Sequence, residues 1–90
     1  MPGYVEIKNI EKSWVEAEKL LMNRLHRMIT CSDNGGDDGP FEKDSGYKWQ
    51  LDASNDWWAE LRGDTLVIAH RYKQEAAYAL GGLAKHFMAR

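Results

Sequence analysis

Between Ile10 and Thr30 the apolar residues Ile10, Trp14, Ala17, Leu21, Leu25 and Met28 recur at spacings of four, three, four, four and three. That is one stripe of an α-helix, widened by Val15, Met22 and Ile29. Two starts compete: Asn9 can cap a helix beginning at Ile10, and Ser13-Trp14-Val15-Glu16 reads as a capping box one turn later. The earlier start is the preferred reading. The helix is expected to stop just past Cys31, where Ser32-Asp33-Asn34-Gly35-Gly36 supplies residues that accept the left-handed conformation. Residues 32–46, SDNGGDDGPFEKDSG, hold four of the eight glycines, five acids and Pro40, with Phe41 as the one apolar side chain. This composition predicts a flexible acidic loop rather than a regular element.

Beyond it the period changes from helical to alternating. Tyr47, Trp49 and Leu51 fall on one face of a strand over 46–52, and Trp57, Ala59 and Leu61 on one face of a strand over 57–62. Arg62-Gly63-Asp64-Thr65 then reads as a two-residue hairpin with glycine at the first central position, where a type II′ turn needs positive φ. If Arg62 pairs with Thr65, Leu61 meets Leu66, Ala59 meets Ile68 and Trp57 meets His70 on one side of a third strand, Thr65 to about Tyr72. For Leu51 to share that side it must oppose Trp57, which makes Asp52 to Asp56 the connection. Trp58 then points the other way, opposite Ala69 with Val67 nearby.

From Tyr72 to Ala89 the helical period returns, with Ala76, Leu80, Leu83 and Phe87 as one stripe and Ala77, Gly81, Ala84 and Met88 beside it. Gly81-Gly82 inside a helix implies either a kink or a close approach by another element, and close approach is the preferred reading. Tyr4 to Lys8 is a candidate for a short edge strand. The expected architecture is α+β: a long N-terminal helix, a three-stranded antiparallel meander and a C-terminal helix (α-β-β-β-α), with both helices on one face of the sheet.

Ninety residues supply one core, so residues 1–90 are expected to form a single domain. A hydrophobic share of 43% against 29% charged is that of a folded chain. Cys31 is the one cysteine, so no internal disulfide can staple the fold and a reducing compartment is expected. No apolar run approaches the roughly 18–20 residues that span a bilayer. Met1-Pro2-Gly3-Tyr4-Val5-Glu6 lacks a basic region followed by an apolar stretch, so the expectation is a cytoplasmic protein without a membrane partner. The net charge of −2 is unevenly placed. Residues 32–46 carry five acidic and one basic group, whereas 65–90 carry four basic and one acidic. Such a dipolar pattern can steer a charged partner.

The motifs that carry chemistry are missing or incomplete. Neither a Walker-type GxxxxGK[ST] nor a GxGxxG occurs, and acids surround Gly35, Gly36 and Gly39. His26, His70 and His86 with Cys31 show no paired ligand spacing; a solvated His26 and a packed Cys31 are preferred over half a zinc site. Asn34, Asp38 and Glu42 match positions one, five and nine of a calcium loop and Gly39 its sixth, but Gly36 and Ser45 stand where two ligands belong. Cys31 sits at the expected C-terminal end of a helix, where a thiolate is not favoured. Asp52, Asp56, Glu60 and Asp64 read as a solvated edge, and Arg62-Gly63-Asp64 reads as hairpin chemistry. His70 is expected half-buried on the Trp57 indole. No catalytic residue, metal ligand or cofactor is assigned.

What remains is a non-enzymatic binding module. Trp58 and Val67 on the outer sheet face, with Asp33, Asp37, Asp38, Glu42 and Asp44 of the acidic loop, are the candidate partner-binding residues. Burial of Trp58 under that loop is the competing reading. The acidity suits a protein partner with a basic surface, and one small cofactor-free acidic domain would fit a phage- or mobile-element-encoded inhibitor of the anti-CRISPR kind. A homodimer through the outer face or the small-residue helix stripe is the same physics with another partner. The order helix, three-stranded meander, helix is also that of double-stranded RNA-binding domains, so a nucleic-acid-binding domain is the alternative. At the matching place, Arg71-Tyr72-Lys73-Gln74-Glu75 offers two cations and one acid, a weak phosphate grip.

Overall fold

Alternating residues near the start and in the middle of the chain build a sheet, and helical stripes before and after its central strands cover one side of it. The computed structural model describes residues 3–30, 43–44, 48–52 and 54–89, by backbone alone at 43–44 and 78–81. The elements are β1 (Gly3–Ile7), α1 (Lys12–Glu16), α2 (Glu18–Thr30), β2 (Lys43–Asp44), β3 (Lys48–Gln50), β4 (Trp57–Arg62), β5 (Thr65–His70) and α3 (Lys73–Phe87). They form an α+β fold around one sheet in the order β1-β5-β4-β3-β2, antiparallel throughout.

The hairpin register is the one that parity predicts. Arg62 pairs with Thr65, Leu61 with Leu66, Ala59 with Ile68 and Trp57 with His70. Gly63 has φ of +60°, while Asp64 is not among the residues of positive φ, as a type II′ turn requires. On the other side of β4, the Leu51 N–H donates to the Trp57 carbonyl at 3.0 Å, so Leu51 does oppose Trp57.

One parity of the sheet, Ile7, Trp49, Leu51, Ala59, Leu66 and Ile68, packs with Leu21, Met22 and Leu25 of α2 and Leu83 and Phe87 of α3 in a single core. Both ends of the chain therefore lie on the same side of the sheet. Trp14 of α1 meets Phe87 edge-on at 5.5 Å and ties the two helical segments together.

The structure departs from the expected pattern at defined points. The meander is flanked by two further strands, because β1 pairs with β5 from Gly3↔His70 to Ile7↔Leu66, and β2 pairs with β3. Residues 43–44 of the expected loop are thus strand; 32–42 and 45–46 lie outside the described residues. The first helix starts at neither predicted cap. Asn9 has φ of +60°, and residues 9–11 run alongside the end of α3: Glu11 N–H bonds the Phe87 carbonyl, Ala89 N–H the Asn9 carbonyl, and Ile10 bridges Met88. With those backbone groups already paired, the helix begins at Lys12. It also breaks at Ala17 (φ −124°, ψ 57°), yet Trp14, Leu21, Leu25 and Met28 still reach the core.

The last helix is continuous through Gly81-Gly82, and a Cβ at Gly82 would meet nothing within 4 Å, so the expected close approach is not at Gly82. It is at Gly3, where an added Cβ would collide with the Cα of Lys73. β1 can reach the foot of α3 only because its first residue has no side chain.

Candidate functional site

Side chains of the opposite parity leave the core and form the outer face of the sheet. Its centre is a small lattice set by the register. Tyr4 and Trp58 are both cross-strand partners of Ala69, and Glu6 and Glu60 are both cross-strand partners of Val67. Each wall strand thus presents an aromatic residue followed two positions later by a glutamate, and β5 between them presents Ala69 and Val67. These six residues line a depression of about 590 Å³, with Lys48 and Arg62 at its side. Tyr4 is 68% exposed, Trp58 half-buried and Val67 8% exposed. Glu60 is nearly covered, its side chain 9% exposed, and forms an ion pair with Arg62, whose side chain is 65% exposed.

Trp58 and Val67 therefore sit together on the outer face, where parity places them. Asp44 lies on β2 in register with Lys48, at the sheet edge. Asp33, Asp37, Asp38 and Glu42 lie outside the described residues, as does Cys31. The sequence reading missed Tyr4 and Glu6. Their signal was the alternation Tyr4-Val5-Glu6-Ile7, which in five residues is too short to separate strand from coil.

Other candidate groups have structural employment. His70 is 7% exposed, meets Trp57 edge-on at 4.3 Å between ring centres, and accepts the Tyr72 backbone N–H on Nδ1 at 2.9 Å. His26, expected in solvent, is 2% exposed and donates from Nδ1 to the Leu51 carbonyl. It lies one turn after Met22 on the buried side of α2, so the helical period had already marked it. Of the carboxylates expected along a solvated edge, Asp64 is exposed, while Asp52, Asp56 and Glu60 are engaged. Asp52 Oδ1 accepts the backbone N–H groups of Asp56 at 3.0 Å and Trp57 at 3.2 Å, and Asp56 pairs with Arg71 at 3.3 Å. Trp49 donates its indole N–H to Glu18 at 2.9 Å, fastening β3 to α2.

Among the described residues no group of three or more His, Cys, Asp or Glu could hold a metal ion, and no helix is long and apolar enough to cross a membrane. No protein-family model matches the chain, and no characterised protein or solved structure matches it.

Proposed function

We propose that the protein is a non-enzymatic binding module that seats a protein partner with a basic surface on the outer face of its sheet. The observation that carries this reading is the depression between Tyr4 and Trp58, on the side of the sheet opposite the helices. A wide aromatic side chain that is accessible, framed by charged groups and rigidly held on strands is the usual anchor of a protein interface. The lining offers no nucleophile beside a base, and its most buried acid, Glu60, is engaged by Arg62.

Charge supports the choice of partner. Residues 32–46 carry five acidic groups and one basic, and Asp44 of that stretch lies on β2, the edge strand beside β3. A partner whose basic surface normally meets phosphate would find carboxylates there instead, which is the logic of an inhibitor of a nucleic-acid-handling protein and of a phage or mobile-element origin. Direct RNA binding is less well served, because Arg71 at the start of α3 is committed to Asp56.

The test is affinity capture from the source cell's lysate, with and without nuclease, using the native chain, Trp58→Ala and the triple reversal of Asp37, Asp38 and Asp44 to Lys. A nuclease-resistant protein captured by the native chain and lost with both variants, each still folded by circular dichroism, is the expected result. Capture of nucleic acid alone, indifferent to Trp58, would overturn the reading.

A further inference from the structure

We infer that the outer face of the sheet is complementary to itself, and that two copies of the chain pair reversibly through it about a two-fold axis running along β5. This goes beyond the proposed function, because a second copy seated there hides Trp58 from any other partner.

The register supplies the match. Tyr4, Ala69 and Trp58 stand on one rung across β1, β5 and β4, and Glu6, Val67 and Glu60 on the rung two residues along. An antiparallel sheet that keeps one face in water usually makes that face polar. Here its centre is Tyr4, Trp58, Val67 and Ala69, and Tyr4 is the most exposed large hydrophobic among the described residues. A two-fold axis parallel to β5 exchanges the two flanks of that strand, so the β1 side of one copy meets the β4 side of the other. Tyr4 of each copy then stands over Trp58 of the other. Two aromatic pairs result, in a single layer of side chains between sheets about 10 Å apart.

Charge is arranged in the same way. The lining holds two acids and two cations, which favours no charged ligand, but the signs are divided across β5. Glu6 is the one charged group on the β1 side; on the other side Glu60 is paired with Arg62, and Lys48 follows on β3. The same two-fold axis sets Glu6 of each copy against the Lys48 flank of the other, and both side chains are exposed. Asp44 does not oppose this pairing. Its strand, β2, lies three strands from β5, so the β2 edges of the two copies end on opposite sides of the pair.

The area sets the strength. An overlap of β1, β5 and β4, with strands about 4.8 Å apart and roughly six residues long at 3.4 Å each, covers about 300 Å². A stable complex buries roughly 800 Å² on each partner. The association is therefore reversible, with a Kd on the order of 100 µM.

The experiment follows the full ¹⁵N-labelled chain by sedimentation equilibrium and by NMR on dilution from about 1 mM to about 10 µM. A monomer–dimer equilibrium is expected, with concentration-dependent shifts at the Trp58 indole N–H and the Ala69 amide. Glu6→Lys and Lys48→Glu each set like charge against like across the axis, and each alone should weaken self-association roughly tenfold. Mixed in equal amounts, the two variants should recover native affinity as a heterodimer, since opposite charges then meet at both contacts. A native chain that stays monomeric at about 1 mM, a mixture that associates no better than either variant, or a dimer that leaves Trp58 and Ala69 unshifted would each overturn the inference. Failure here is distinct from failure of the proposed function. A monomeric native chain that still loses its captured partner with Trp58→Ala docks that partner on this face without pairing with itself.

Discussion

The turn between β3 and β4 decides which tryptophan enters the core and which reaches the outer face, and Asp52 closes it. Its Oδ1 accepts two backbone N–H groups, Asp56 at 3.0 Å and Trp57 at 3.2 Å, while its carbonyl accepts the Gln50 side-chain amide at 2.9 Å. Asn55, with φ of +60°, completes the reversal. Asp52→Ala removes both side-chain bonds and leaves the carbonyl bond in place. A hydrogen bond to a charged acceptor contributes about 1.5–3 kcal/mol at most, but these donors are partly solvated and water replaces some of what is lost. An exposed helix cap, the nearest measured analogue, contributes about 0.5–2 kcal/mol. The expected loss is therefore about 1.5 kcal/mol, which lowers the Tm of a domain this size by roughly 6–12 °C. Asp52→Asn keeps a carbonyl oxygen in place of Oδ1 without the charge, and should lose about half as much. Urea unfolding followed by tryptophan fluorescence gives both numbers, provided the denaturant slope is unchanged. An alanine variant within about 0.3 kcal/mol of the native chain, or alanine and asparagine variants that are indistinguishable, would refute the assignment of this turn to the Asp52 carboxylate.

Two glycines should respond with opposite signs. Gly3→Ala drives a Cβ into the backbone of Lys73 and should destabilise by about 2 kcal/mol, whereas Gly82→Ala, exposed and helical with nothing within 4 Å, should stabilise by roughly 0.5–1 kcal/mol; the same unfolding assay reads both. The two buried histidines should carry opposite Nδ1 protonation, with a proton on Nδ1 in His26, which donates to a carbonyl, and none on Nδ1 in His70, which accepts an N–H there. Long-range ¹H–¹⁵N correlation spectra distinguish them, and the same Nδ1 state in both rings would show that one of these two hydrogen bonds is misassigned. Arg62→Ala should cost about 1 kcal/mol by leaving the nearly covered Glu60 carboxylate without its cation, and Glu60→Gln in the same chain should recover most of that loss.

Legibility followed the range over which a signal acts. The β4–β5 hairpin could be read to the residue, because a two-residue turn and strict alternation leave one register that buries Leu61, Ala59, Leu66 and Ile68 together. The same parity placed Trp58 on the outer face. β1 was open because five residues carry almost no periodic information, and its pairing with β5, from Gly3↔His70 to Ile7↔Leu66, is a contact between distant parts of the sequence. Without β1 the outer face shows one aromatic wall; with it, Tyr4 and Glu6 supply the second. The depression on the outer face could therefore not be seen from local pattern, although the residues that line it are ordinary strand sequence.

The helical ends teach the complementary lesson. The apolar stripe through Ile10, Trp14, Leu21, Leu25 and Met28 determined which side chains are buried, since burial depends on angular position and tolerates the break at Ala17. Where the helix begins was decided by the tertiary structure: backbone groups of Asn9 to Glu11 bond the end of α3 and the β4–β5 turn, which removes them from a helix that two capping signals favoured. The glycines divide in the same way. Gly63 was determined by the chain itself, because a two-residue turn needs positive φ there; Gly3 acquired its meaning only when α3 folded back against β1. Local conformation is set by neighbours in sequence, so the sequence by itself determined the α+β class, the central hairpin and the parity of Trp58. Close approach and strand order are set by which surfaces meet, so the tertiary structure alone decided that Tyr4 and Trp58 stand on either side of Ala69.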